Sequence, residues 1–82
     1  MKGMIIIMTL DMINIGQNAI VRELVNDDKM KRRLLDMGLI EGTRIECVAK
    51  SPWGDPKAFD LRGAIIALRE EDSRNIVVEC GD

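Results

Sequence analysis

Every apolar stretch in this chain is short, and turn residues cut each one before it can grow into a long helix or a membrane span. Gly16-Gln17-Asn18 turns the chain into Ala19-Ile20-Val21-Arg22-Glu23-Leu24-Val25, whose β-branched residues favour a strand. Residues 43–50 alternate, with Ile45, Cys47 and Ala49 on one face and Arg44, Glu46 and Lys50 on the other; Val48 is the exception. A period of two is that of a half-buried strand. Two prolines and a glycine make Ser51-Pro52-Trp53-Gly54-Asp55-Pro56 a loop. Residues 57–62 then read as a strand with Ala58 and Leu61 pointing inward, and Gly63 as a tight corner. Residues 64–68 read as a short buried strand, 69–73 as a charged turn or single helical turn, and 76–80 as the last strand.

One segment has a different period. Asn26-Asp27-Asp28 supplies N-cap chemistry, and Met30, Leu34, Leu35 and Met37 fall on one helical face. Asp28 and Arg32 stand four apart in the favourable order, and Gly38 is placed to end the helix in a left-handed conformation. Five short strands in quick succession need closure to hide their edges. The expected fold is therefore mainly β: a small SH3-like β-barrel of about five strands with one short inserted α-helix, an OB-like barrel being the second choice. With 82 residues the chain has room for one small domain.

The N-terminal run Met4-Ile5-Ile6-Ile7-Met8 is too short for a secretory signal and meets Asp11 almost at once. No stretch approaches the roughly 20 apolar residues of a transmembrane helix, so direct membrane insertion is not expected and the expected address is cytoplasmic. Residues 1–7 are read as an N-terminal extension (an added strand, a partner-facing tail, or part of a start-site ambiguity, since Met8 could also initiate) and residues 8–82 as the domain. Cys47 and Cys80 make one pair at most and form no CxxC motif. They read as two buried free thiols in a reducing compartment.

Composition excludes more than it names. There is no histidine, so no serine, threonine or cysteine has the usual base to activate it, and the commonest metal ligand is missing. No phosphate-binding glycine loop or nucleophile-elbow motif is present, and the chain reads as a non-enzyme. Lys29, Lys31, Arg32 and Arg33 form a basic patch, yet the net charge is −2 and aromatic residues make up 2%. Single-strand binders and proline-peptide grooves both need aromatic rings, so the patch reads as a solvated helix face and no nucleic-acid partner is expected. Glu70, Glu71, Asp72 and Cys80 are weak candidates for a divalent transition metal, Fe(II) or Zn(II), and no resident cofactor is expected. Trp53, between Pro52 and Gly54, is either a partner anchor or a lid over one end of the barrel. Leu39 and Ile40 either face a partner or dock the helix end onto the barrel.

Three blocks occur in order: Arg33-Leu34-Leu35-Asp36-Met37-Gly38-Leu39-Ile40-Glu41-Gly42-Thr43, Ser51-Pro52-Trp53-Gly54-Asp55-Pro56, and Leu61-Arg62-Gly63-Ala64-Ile65-Ile66-Ala67-Leu68-Arg69. Together they resemble the FeoA family of ferrous iron transport proteins, from Met8 onward. The resemblance implies an SH3-like barrel with a helical insertion. It also implies a small cytoplasmic accessory of FeoB, a membrane transporter with a cytoplasmic GTPase domain. Related domains end iron-dependent repressors, but this chain lacks their helix-turn-helix. Where the family often carries a smaller apolar residue in the Pro-x-Gly-Asp-Pro loop, this chain has Trp53, a departure that bears on partner choice and oligomerisation. On this reading Lys31, Arg32, Leu39, Trp53 and Asp55 form the partner-binding surface. The alternative reading is a metal-responsive module that binds a divalent transition metal and changes its oligomeric state. Self-association through the isoleucine-rich start or a sheet edge is compatible with either.

Overall fold

The structure, a computed structural model, describes residues 3–81. Strand β1 (Ile5–Thr9) passes through a 3-10 turn at Leu10–Met12 into β2 (Asn18–Leu24) and helix α1 (Asp28–Asp36). Strands β3 (Arg44–Lys50), β4 (Lys57–Leu61) and β5 (Ala64–Leu68) follow, then a single helical turn, α2 (Glu70–Ser73), and β6 (Ile76–Gly81). All neighbours pair antiparallel in one sheet of order β1-β6-β2-β3-β4-β5. Strands β2 to β5 form a meander, and β6 returns to lie between β1 and β2.

In strand number and closure the sheet differs from the sequence-based expectation. The sheet has six strands rather than five, because the isoleucine run pairs residue for residue with β6, from Ile5 opposite Gly81 to Thr9 opposite Val77. This strand crosses the expected boundary between residues 7 and 8. Among the described residues β1 and β5 end the sheet and do not pair with each other, so the ladder curls without closing. Its curvature comes with register shifts in β2 between Val21 and Glu23 and in β3 between Cys47 and Ala49.

The concave face holds the core. Phe59, Leu10, Ile13, Leu34, Leu39, Ile45, Ile76 and Val78 are fully buried. The inward residues of β4 are Phe59 and Leu61, not Ala58. A period of two cannot place 58 and 61 on one face, and the larger pair wins. Ala49 is exposed because the bulge after Cys47 moves it off the inward phase. Strand β5 is an edge rather than a buried strand: Ala64, Ile65 and Ala67 are exposed and only Leu68 is buried.

Helix α1 starts as its sequence requires. The Asp27 side chain accepts from the Met30 amide at 2.9 Å, closing one orphan donor of the first turn. Its end is a full Schellman motif: Gly38 N–H donates to Leu35 O at 2.9 Å and Leu39 N–H to Leu34 O at 3.0 Å. Gly38 has φ +99°, which only glycine adopts at little cost. The motif turns Leu39 back onto Leu34, and both are fully buried. Leu34 is the one fully buried residue of the helix; Leu35 and Met37 stay about two-fifths exposed.

Candidate partner-binding face

The loop between β3 and β4 presents Trp53 to solvent, 89% exposed. The loop itself is firmly tied. Ser51 N–H donates to Pro56 O at 3.0 Å, Gly54 N–H donates to Ser51 O at 2.8 Å, and the Ser51 hydroxyl donates to Asp55 O at 2.7 Å. Asp55 Oδ1 accepts from the Glu70 amide at 2.9 Å, capping α2 from across the chain. At the other end of this turn, Asn26 Nδ2 donates to Asp72 O at 2.9 Å. The turn α2 is thus pinned between the Trp53 loop and the start of the helical insertion. The indole does not fold back as a lid; it stands on a braced loop. Asp55 is committed to that bracing.

Lys31 and Arg32 are exposed on the outer side of α1, around a shallow depression that Leu35 also lines. Leu39 is not on this face. Its burial under the helix end removes it from any contact surface, because the Schellman turn needs its side chain inside. Ile40, its neighbour, remains 45% exposed.

A second depression lies between α1 and β5. Met30, Met37, Ile66 and Leu68 give it an apolar lining, and Arg33, Arg69 and Asp72 contribute charge. The sequence-based reading did not single out this arrangement. Its signal was available on the helix: Met30, Arg33 and Met37 are spaced three and four apart, so they share one stripe. The β5 half could not be read, because nothing local says which face of Ala64–Leu68 a helix will approach.

The candidate metal ligands do not assemble. Glu70 and Glu71 are exposed on α2, and Cys80 is buried on β6. Among the described residues no three of His, Cys, Asp and Glu come together as a metal site. Burial pushes the Cys80 thiol above its usual range. Cys47 and Cys80 are both free and buried, as the sequence leads one to expect. Among the described residues no helix is long and apolar enough to cross a membrane.

The FeoA domain model matches residues 8–80. A fusion of Fe(2+) transport protein A with the Fe(2+) transporter FeoB from Porphyromonas gingivalis is 29% identical over 72 residues, covering 88% of this chain and 8% of the fusion protein. The solution structure of a FeoA-like protein from Clostridium acetobutylicum is 35% identical and superposes with a TM-score of 0.81, covering 98% of this chain and 88% of that one. The crystal structure of Stenotrophomonas maltophilia FeoA complexed with zinc, described as a prokaryotic SH3 domain protein, is 31% identical with a TM-score of 0.73. It covers 87% of this chain and 88% of that one. The match over residues 8–80, with these two folds, makes the chain a member of the FeoA family.

Proposed function

We propose that this chain is a non-enzymatic cytoplasmic accessory of ferrous iron uptake that binds the cytoplasmic part of a FeoB-type transporter. The observation that carries this reading is the fused relative, in which a segment similar to this chain shares one polypeptide with FeoB. Covalent linkage holds two modules at high effective concentration. Where the two modules are separate chains, a docking surface has to replace it. The exposed Trp53 on its braced loop supplies a large rigid anchor, of the residue type that dominates interface energies. Lys31 and Arg32 supply charge that steers and orients the encounter. Asp55 acts in this surface by holding the loop, and Leu39 plays no part in it.

The test is co-purification of tagged protein with the transporter in detergent, with GTP, GDP or no nucleotide. Retention that is lost on Trp53→Ala or Arg32→Glu supports the reading. Retention in no nucleotide state overturns it. The metal-responsive reading draws on the zinc complex of the Stenotrophomonas relative. It predicts calorimetric heat on titration with Fe(II) or Zn(II) and its loss on Glu70→Ala; a flat titration removes it.

A further inference from the structure

Four consecutive apolar residues lie exposed on or beside an unpaired sheet edge: Met4 58%, Ile5 55%, Ile6 51% and Ile7 54%. Among the described residues strand β1 pairs with β6 on one side only, and its other side carries free backbone donors and acceptors. Folded proteins usually blunt such an edge with a charge, a proline or a bulge. Residues 3–10 contain no charged residue and no proline. The β1–β6 register runs over five pairs without a shift, whereas β2 and β3 both carry one.

We propose that the free edge of β1 pairs antiparallel with the same edge of a second copy, giving a two-fold dimer with one sheet running through both subunits. An antiparallel edge is self-complementary, because the two-fold axis that sets a strand against itself reverses its direction. The pairing segment is neutral and apolar on both faces, so no like charges meet across the two-fold axis. The opposite edge is unsuited to the same pairing. Arg62 and Arg69 flank β5, so charge brackets that strand at both ends, the kind of device that blunts an edge. The area is modest: Met4 and the three isoleucines expose about 400 Å² per copy, about half of what a stable interface covers. The dimer is therefore weak and concentration-dependent.

Sedimentation equilibrium of the full chain from about 20 µM to 1 mM covers the range in which a weak dimer forms. Wild type moves from monomer to dimer across the range, Ile6→Lys stays monomeric, and Ile65→Lys, on the opposite edge, behaves as wild type. Hydrogen exchange needs no variant: alternate amides of Ile5–Thr9 slow as concentration rises, while those of Ala64–Leu68 do not. Monomer throughout, protection gained on β5, or a dimer abolished by Ile65→Lys with Ile6→Lys unaffected overturns the proposal.

Discussion

Replacing Gly38 with alanine isolates one backbone conformation from everything around it. At φ +99° an added Cβ meets only one neighbour, Leu61 Cδ2 at 4.0 Å, which is ordinary contact. Packing therefore costs nothing, and the whole penalty is the left-handed backbone, about 1–2 kcal/mol for an L-residue. The variant keeps its alternatives poor. Relaxing φ to a negative value breaks the Gly38-to-Leu35 and Leu39-to-Leu34 hydrogen bonds and pulls Leu39 out of the core. For a chain this small the urea dependence is about 1 kcal/mol/M, so the midpoint falls by about 1–2 M. Far-UV circular dichroism is the right probe. Trp53, the sole tryptophan, is already in water in the folded state, so its fluorescence reports unfolding poorly. Gly38→Asn, which tolerates the left-handed region better, recovers part of the loss. An alanine variant as stable as wild type, or an asparagine variant less stable than the alanine one, refutes the assignment of Gly38 as the residue that fixes Leu39.

Arg62 is the one described non-glycine residue at positive φ, +55°, followed by Gly63 at +89° in the two-residue turn between β4 and β5. Arg62→Asn or Arg62→Gly relieves it and raises stability by about 0.5–1 kcal/mol, read from the urea midpoint. Asp55→Ala uncaps the Glu70 amide and lowers stability by about 1 kcal/mol; in the retention assay it weakens binding less than Trp53→Ala, which leaves stability within about 0.5 kcal/mol of wild type. Cys80 resists alkylation in the folded protein and reacts once urea unfolds it, with mass spectrometry as the readout. Because burial raises its folded pKa, its contribution to stability is complete below the unfolded thiol value and is lost as pH rises through the folded one. Urea midpoints measured from neutral to alkaline pH therefore fall, and Cys80→Ala flattens that part of the decline.

What the sequence made legible was local. The helix has its cap residue and its terminating glycine within a dozen positions, and both do in the structure what their chemistry demands, whereas of the expected apolar face only Leu34 is fully buried. The alternation of Ile45 and Cys47 gave the inward face of β3 as far as the bulge. A bulge has no fixed residue signature, so Ala49 escaped. The edge character of Ala64–Leu68 was invisible for a different reason. An apolar run says that a strand wants cover, and among the described residues the topology leaves β5 with a neighbour on one side only. The isoleucine run at β1 is the same case seen from the other end of the sheet.

The candidate face turns on the same distinction between local and tertiary information. Leu39 and Trp53 are both large apolar residues beside glycines at turns, and the sequence placed both on a partner surface. The hydrogen bonds separate them. At Gly38 the chain reverses so that the next residue must re-enter the core, which commits Leu39 to stability. In the β3–β4 loop the ties run through Ser51, Asp55 and Pro56 and none through Trp53, so the ring is held in place without being covered. A chain with only one other aromatic residue has placed that one, Phe59, fully inside. Keeping its largest apolar side chain in water forgoes about 1.5–3 kcal/mol of burial on the scale of a core residue. A partner that covered the ring would offset that cost, so on the proposed reading Trp53, rather than the basic side of α1, carries most of a docking partner's affinity.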